Sequence, residues 1–303
     1  MLEFLQLTKR YSRWGTPAVD DLSFPVRNGE VVGFIGLNGA GKSTSIRVAT
    51  GILLPTSGSV AVDGHDIVRE KVDASAQVGW VPESPAYPAS ARALALLRYY
   101  AAYHGIDGST ADRRGAELLR QVGLEGTERR PLGSFSLGMK KRFAIAASQI
   151  TDPQNLLLDE VLNGLDPAGL AFTRTWLAEL RRSGRAVLLS SHNLEELGNL
   201  ADRVALLHSG RLLKVVDREE VERLGQRSVL VTFVPVDDHA LEILRKFGTP
   251  SVLRPNLVAV RELRGEPADL VSALVAAQYR VAEVRSEQPA LEEYFLRLLK
   301  TAG

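Results

Sequence analysis

The sequence has no cysteine among its 303 residues, and this absence removes several kinds of chemistry. Disulfide bonds, thiol catalysis and cysteine-based zinc sites are all excluded. The five histidines are scattered along the chain, and none forms an H-x-x-x-H pair with metal-ligand spacing. The missing cysteine is neutral about the cellular compartment.

Long apolar runs are also absent. No stretch reaches the roughly 18 apolar residues that a membrane-spanning helix requires, so none is predicted. The first residues, Met1–Phe4, include an acid where a signal peptide carries basic residues, and we therefore expect a cytoplasmic protein. A net charge of +1 gives no reason to expect nucleic acid as a partner.

The chain does have the length and composition of a soluble globular protein. Its 303 residues are enough for two domains with full cores. Hydrophobic residues make up 45% and charged residues 24%, which excludes a disordered or fibrous class.

Residues 36–44 fit the pattern G-x-x-x-x-G-K-[ST], the phosphate-binding loop of P-loop NTPases. The run Glu30–Ile35 before it predicts a buried strand, and Ser45–Thr50 predicts a helix that ends near Gly51. An ordinary glycine-rich turn would lack this strand–loop–helix context. Glycines let backbone N–H groups surround phosphate oxygens. The predicted nucleotide-binding residues are Gly36, Leu37, Asn38, Gly39, Ala40, Gly41, Lys42, Ser43 and Thr44, with Lys42 on the β- and γ-phosphates and Ser43 on Mg²⁺.

Residues Asn155–Glu160 form a continuous apolar run that ends in two acids. This pattern predicts a buried parallel strand with carboxylates at its C-terminal edge, where α/β sheets bind ligands. We expect Asp159 to hold Mg²⁺ through water and Glu160 to orient or deprotonate the attacking water. The alternative is a strand followed by a solvated acidic turn.

Two further candidates lie at the ends of predicted elements. Ser136 begins a predicted helix, where it could bind an anion or act as an ordinary N-cap. His192 follows the predicted strand Arg185–Ser191, where it could reach a phosphate or cap the helix predicted over Asn193–Leu200.

The remaining pattern predicts the other elements. Leu2–Leu7 predicts a strand with Gln6 on the face of Leu2 and Phe4, opposite Leu7. Ala89–Gly123 predicts two helices with a break at Gly105–Ser109. The helix predicted over Ala168–Ser183 is expected to pack Ala171, Thr175, Leu177 and Ala178 inward. Residues 211–226 predict a linker with a charged helix. The order βαββαβ over 228–284, followed by a helix at Pro289–Lys300, predicts a small ferredoxin-like module.

Taken together, the motifs resemble the nucleotide-binding subunit of an ABC transporter. Residues 36–44 match Walker A and residues 155–160 match Walker B. The resemblance also places the adenine-stacking aromatic at Tyr11, the coupling-loop position at Glu83, the D-loop at Asp166 and the switch histidine at His192. It places the signature motif at Ser136, Leu137, Gly138 and Met139. Three positions depart from the family pattern. Glu83 stands where glutamine is usual, Leu137 replaces a glycine and Met139 replaces a glutamine.

The resemblance implies an α/β fold: a P-loop NTPase (ABC ATPase) core with an antiparallel β subdomain and a helical signature subdomain. We expect this domain over residues 1–220, its helical part over about 84–150, and a C-terminal α+β accessory domain over 221–303. The phrase Ser-Leu-Gly-Met-Lys-Lys-Arg and the Val-Pro-Glu loop resemble the branch that serves ABC-2-type exporters, including drug-resistance systems.

The same resemblance implies a mechanism and partners. ATP and Mg²⁺ would lie between the P-loop of one subunit and Ser136 of a second copy, with Glu160, His192 and Lys42 catalytic and Ser43, Glu83 and Asp159 near the metal. A separate membrane permease would bind the helical region and hold the protein on the inner face of the membrane. The alternative is a soluble ABC ATPase that drives no transport, such as a cluster-assembly type. Tyr11 could also be a surface tyrosine, and Glu83 a solvated loop acid.

Overall fold

A computed structural model describes residues 1–163, 165, 167–193, 197, 200–217, 219–220 and 228–287. The chain divides into two compact units, Met1–Val216 and Asp217–Gly303. The strands up to the unit boundary are β1 (Leu2–Lys9), β2 (Val19–Val26), β3 (Val31–Ile35), β4 (Ser57–Val62), β5 (His65–Asp66), β6 (Val78–Val81), β7 (Asn155–Leu158), β8 (Ala186–Ser191), β9 (Arg203–His208) and β10 (Arg211–Asp217). The helices are α1 (Lys42–Ala49), α2 (Lys71–Ala76), α3 (Ala93–Tyr103), α4 (Gly108–Gln121), α5 (Leu137–Ser148) and α6 (Pro167–Arg182).

A six-stranded sheet in the order β10-β9-β3-β8-β7-β6 is the centre of the first unit. The pairs β9/β3, β3/β8, β8/β7 and β7/β6 are parallel. Every residue of β3, β7 and β8 is buried, which explains their continuous apolar sequences. The phosphate-loop pattern, the two acids and His192 follow the C-terminal ends of these three strands, so the sheet brings them to one edge.

A second sheet, in the order β2-β1-β4-β5, lies in the same unit. Phe4 and Phe24 stack with ring centroids 4.8 Å apart, and Phe24 lies 5.4 Å from Phe34 of β3. The alternation predicted for β1 is wrong at one point. Gln6 has a φ of 49°, in the left-handed region, and the register shifts between Phe4 and Leu7. This bulge exposes Gln6 and buries Leu7 with Leu2 and Phe4.

Two helices form within Ala89–Gly123 as predicted, whereas the packing face predicted for α6 is right at Leu177 and wrong at Ala171 and Thr175. Helix α3 ends at Tyr103, and Asp107 caps α4 by accepting from the Ser109 and Thr110 N–H groups at 3.0 Å each. On α6, Ala171 and Thr175 are exposed. Among the described residues of α6, the buried positions repeat at helical spacing around the large Trp176 ring, and they are Gly169, Thr173, Trp176, Leu177 and Leu180.

Two other predictions need correction or fall outside the description. Residues Arg211–Asp217 form β10 at the edge of the six-stranded sheet, so a linker is wrong for this segment. The Ser209-Gly210 turn joins it directly to β9, with φ values of 48° and 81°. The helices predicted over Asn193–Leu200 and Pro289–Lys300 lie largely or wholly outside the described residues.

The described part of the second unit has strands β11 (Ser228–Val234), β12 (Thr249–Arg254), β13 (Leu257–Arg261) and β14 (Arg280–Glu287), with helices α7 (Asp238–Arg245) and α8 (Pro267–Ala276). The sheet order is β12-β13-β11-β14, and the three neighbouring pairs are antiparallel. Val229, Val231 and Phe233 are buried on one side of β11 in a core shared with Leu244 and Leu270. Within the described residues of the whole chain, no helix is long and apolar enough to cross a membrane.

Candidate active site

The loop at residues 36–44 joins the end of β3 to the start of α1, as its sequence predicts. Two glycines are required by close approaches. A Cβ on Gly41, whose φ is 104°, would lie 2.4 Å from the Ala18 carbonyl oxygen. A Cβ on Gly36 would lie 2.7 Å from both the Ala40 Cβ and the Leu207 carbonyl oxygen. Because α1 begins at Lys42, the free N–H groups of its first turn are available to a bound anion.

Lys42 is buried at the base of this loop, with 6% of its surface exposed. Its Nζ donates to the Gly36 carbonyl oxygen at 2.7 Å and lies 3.3 Å from Glu160 Oε1. A buried ammonium needs a counter-charge and hydrogen-bond acceptors, and these two contacts supply them. The loop and the strand end after β7 are thus connected through one side chain.

Glu160 is buried, with 5% of its surface exposed, and its two carboxylate oxygens have different partners. Oε1 faces Lys42, whereas Oε2 accepts from Asn163 Nδ2 at 2.9 Å and lies 3.0 Å from His192 Nδ1. The backbone of Glu160 is left-handed, with φ 48°. Side chains from three chain segments therefore orient a single carboxylate, an arrangement suited to a general base.

Asp159 lies on the opposite side of the strand end and contacts two hydroxyl groups. Ser43 Oγ donates to Asp159 Oδ1 at 3.1 Å, and Ser190 Oγ donates to the same oxygen at 2.7 Å. Ser190 Oγ also accepts from the Glu160 N–H at 2.9 Å. A hydroxyl and a carboxylate side by side are oxygen ligands of the kind that Mg²⁺ prefers.

Ser190 was not predicted from the sequence as a site residue, although its position in an apolar strand was a signal. It is fully buried within β8, and a buried hydroxyl in an apolar strand requires a partner. Because β7 and β8 are neighbours in the sheet, the partner of Ser190 is Asp159, the first acid after β7.

A cavity of about 490 Å³ lies over these groups. Its lining includes Lys42, Ser43, Glu160 and His192 together with Glu83, an exposed side chain in the loop after β6; the other lining residues are Ala18, Asn38, Gly39, Ala40, Gly41, Thr44 and Asn163. The structure therefore brings Walker A, the second acid, the coupling-loop position and the histidine to one space.

Tyr11 lies at the margin of this space, outside the residues that line the cavity. Its hydroxyl is 3.2 Å from Thr44 Oγ1, and 63% of its surface is exposed. Lys9 Nζ lies 5.6 Å from the centre of the ring. An exposed ring hydrogen-bonded to the phosphate loop has a free surface on which a planar base can stack.

The signature residues lie apart from the cavity. Ser136 caps α5 by accepting from the Met139 N–H at 3.3 Å, and Leu137 is 59% exposed. A Cβ on Gly138 would meet no atom within 4 Å. None of these four signature residues lines the cavity of its own chain. Asp166 of the D-loop lies outside the described residues.

Lys141 is a second functional candidate that the sequence reasoning missed. It is 4% exposed on α5, and its Nζ donates to the Asn163 carbonyl oxygen. Burial lowers the pKa of Lys141, and the negative charges of Glu83 and Glu160 act in the opposite direction. Sequence alone gave no signal here, because lysine is usually a surface residue.

A groove of about 490 Å³ runs between the edge strand β6 and helices α3 and α5. Its walls include Trp80, Tyr87, Tyr100, Tyr103 and Ala147. Burial raises the pKa of Tyr87 well above its usual range, so its hydroxyl stays protonated. Tyr103 is 72% exposed at the rim. The groove offers an apolar and aromatic surface in the region predicted to contact a membrane subunit.

Comparison with known proteins agrees with this geometry. A family model described as ABC transporter matches residues 19–163. The uncharacterized ABC transporter ATP-binding protein YhcH of Bacillus subtilis is 33% identical over 98% of this chain and 95% of its own length. The chain belongs to the ABC transporter family. It is the ATP-binding subunit of an ABC transporter, and an ATPase.

Other ABC proteins match over similar lengths. The bacitracin transport ATP-binding protein BcrA of Bacillus licheniformis is 30% identical over 99% of this chain and 97% of its own length. Among solved structures, cbiO1 of Clostridium perfringens, part of the cbiONQ transporter complex, is 28% identical with a TM-score of 0.64. That match covers 73% of this chain and 90% of cbiO1.

Proposed function

We propose that this ABC ATPase powers an ABC-2-type exporter by ATP-driven closure of a dimer, through a separate membrane permease. The observation that carries the proposal is the cavity in which Lys42, Ser43, Glu160 and His192 converge. The bacitracin-transport relative, which matches almost the whole chain, supports a role in transport. The Ser-Leu-Gly-Met-Lys-Lys-Arg phrase supports the ABC-2-type branch.

ATP would bind with its phosphates on the loop and its adenine on Tyr11. The N–H groups of residues 36–44 and the N-terminus of α1 favour anionic oxygens. Lys42 supplies a cation, already desolvated, for the β- and γ-phosphates. The exposed Tyr11 ring supplies the stacking surface.

Mg²⁺ fits the oxygen-rich side of the cavity. Ser43 and Asp159 would hold it, with Glu83 contributing from the opposite loop. Mg²⁺ sites commonly use few protein ligands, since phosphate oxygens and waters complete the shell. When bound, the ion neutralises charge on the phosphates.

Hydrolysis would depend on Glu160 as the group that orients and deprotonates water. Asn163 and His192 hold Oε2 of the Glu160 carboxylate, so the other oxygen, Oε1, keeps a defined direction. His192 is well placed to contact the γ-phosphate as well, because its side chain is 54% exposed beside the cavity.

A second copy of the chain would complete each site. Ser136, Leu137, Gly138 and Met139 lie outside their own cavity, and the Gly138 surface is open. The N-terminus of α5 could therefore approach the γ-phosphate held by a partner.

We propose the domain organisation expected from the sequence, with the ATPase domain over 1–220, its helical part over about 84–150 and an accessory domain over 221–303. The sheet order β12-β13-β11-β14 and the order βαββαβ support a ferredoxin-like fold for the accessory domain. The domain would act as a dimerisation or docking appendage.

The permease contact is tested by substitution in the groove lined by Trp80, Tyr87, Tyr100 and Tyr103. We expect the chain to co-purify from detergent extracts with a membrane protein, which would hold it on the inner face of the membrane. Tyr103→Asp should lower the recovery by about tenfold, since a charge would be buried in an apolar contact. Val72→Asp, at an 82% exposed position on α2, is the matched control. Recovery of the wild-type chain with no membrane protein would support the soluble alternative instead.

The Mg²⁺ dependence of the ATPase tests Glu83. We expect Glu83→Gln to keep ATP binding and most basal activity, while the Mg²⁺ concentration for half-maximal rate changes, because the amide keeps an oxygen and loses the charge. Glu83→Ala should lose more, since no oxygen remains. Rates measured against Mg²⁺ for wild type and both variants decide the matter. Three superimposable curves would mean that Glu83 is a solvated loop acid.

A further inference from the structure

Lys141 lies on the helix that begins at the signature motif, yet its charged end reaches the loop after the second acid. The residue is five positions after Ser136, which is about 7.5 Å along a helix. Only 4% of its surface is exposed, and its Nζ donates to the Asn163 carbonyl oxygen. A buried ammonium is costly unless it is hydrogen-bonded, and the Asn163 carbonyl oxygen supplies that hydrogen bond to Lys141.

Asn163 connects that ammonium to the carboxylate of Glu160. Its carbonyl oxygen accepts from Lys141, and its side-chain Nδ2 donates to Glu160 Oε2 at 2.9 Å. Its own N–H donates to the Glu160 carbonyl oxygen at 3.2 Å, which closes the turn. A shift of α5 would therefore move Asn163, and a shift of Asn163 would turn Glu160.

We propose that Lys141 is a positioning residue that couples the signature helix α5 to Glu160 through Asn163. The end of α5 that would contact the partner's nucleotide then also sets the alignment of this chain's own carboxylate. The inference rests on the proposed role of Glu160 as the group that orients water. Lys141 itself does not line the cavity, so it acts on hydrolysis and leaves ATP binding to the loop.

The test is the steady-state ATPase activity of Lys141→Met in the full chain. We expect kcat to fall by about 10- to 100-fold, the effect of misaligning a reacting group, with KM for ATP within about twofold of wild type. Lys141→Gln should recover part of the activity, because the amide can still donate to the Asn163 carbonyl oxygen. Lys140→Met removes a half-buried lysine one position earlier on the same helix, and it should stay within about twofold of wild type.

A double-mutant cycle separates coupling from a general structural role. Asn163→Ala removes the side chain that contacts Glu160 but keeps the carbonyl oxygen that Lys141 contacts. In that background Lys141→Met should lower kcat by less than about twofold further, because the connection is already cut. An unchanged effect of Lys141→Met in the Asn163→Ala background, or wild-type kcat in Lys141→Met alone, overturns the inference. If Lys141→Met does not fold, Lys141→Gln takes its place in the cycle.

The ATPase activity of Glu160→Gln, measured in parallel, distinguishes a failure of the coupling from a failure of the proposed role of Glu160. An inactive Glu160→Gln with a fully active Lys141→Met rejects the coupling and keeps the proposed function. An active Glu160→Gln rejects the proposed role of Glu160 itself, and with it the route by which Lys141 would act.

Discussion

Lys42→Ala is expected to lower ATP turnover by at least about 100- to 1,000-fold, the loss typical of one preorganised donor at a transition state. The side chain is the buried cation of the phosphate loop, 2.7 Å from the Gly36 carbonyl oxygen and 3.3 Å from Glu160 Oε1. Without it, the charge that develops on the γ-phosphate loses its nearest protein cation. Phosphate release under saturating Mg²⁺ and ATP measures the loss, and titration with a fluorescent ATP analogue measures binding separately.

The same substitution should also lower stability, because it leaves the buried Glu160 carboxylate without its cation. Removing one partner of a buried ion pair costs about 3–5 kcal/mol, and we expect the lower end here, since Asn163 and His192 still contact Oε2. Thermal unfolding without nucleotide reports this effect. Lys71→Ala, at an exposed position on α2, is the matched control and should change neither property. Near-wild-type turnover in Lys42→Ala would reject the P-loop assignment.

The main features of the site could be predicted because their sequence signals are local. The phosphate loop needs Gly36 and Gly41, where a Cβ would collide with neighbouring atoms, and then a lysine and a hydroxyl at the start of a helix. Asp159 and Glu160 directly follow a buried strand, and His192 directly follows the neighbouring one. Parallel pairing of those strands then brings the groups together without further information.

The supporting residues could not be predicted in the same way, because their partners are distant in sequence. Ser190 is 31 residues from Asp159, and Lys141 is 22 residues from Asn163. Each polar atom is explained by a contact that exists only after the elements pack. A serine within an apolar strand indicates that some partner exists, whereas a lysine on a predicted helix gives no such sign. The strand order and the helix position decide the partner in both cases.

The errors in the fold have the same origin in tertiary contacts. Strict alternation in β1 places Gln6 with Leu2 and Phe4, whereas a one-residue bulge turns Leu7 into the core instead. The face of α6 is decided by Trp176, whose Nε1 donates to Gln149 Oε1 at 3.2 Å in the interior. The sequence of β10 has the pattern of a charged linker, because β10 is an edge strand in which only Val216 is buried.

Glu160→Gln is expected to lower turnover by about 100- to 10,000-fold, the contribution typical of a positioned general base, while ATP still binds. The amide has the shape of the carboxylate, and its oxygen can still accept from Asn163, but it cannot take a proton from water. The substitution also removes the negative charge beside Lys42. The positive charge of Lys42 then attracts the γ-phosphate more strongly. ATP should therefore stay bound, and a closed dimer should accumulate because hydrolysis no longer opens it.

Size-exclusion chromatography of Glu160→Gln with Mg²⁺ and ATP measures that accumulation, and ADP in place of ATP should leave the protein monomeric. Combining Glu160→Gln with Lys42→Ala should abolish the dimer, since closure requires bound nucleotide. Glu179→Gln, at an exposed position on α6, carries the same chemical change outside the site and should behave as wild type. A Glu160→Gln protein that stays monomeric and hydrolyses ATP normally would reject Glu160 as the base. One that stays monomeric but inactive would keep Glu160 as the base, and would mean that ATP alone does not close this dimer.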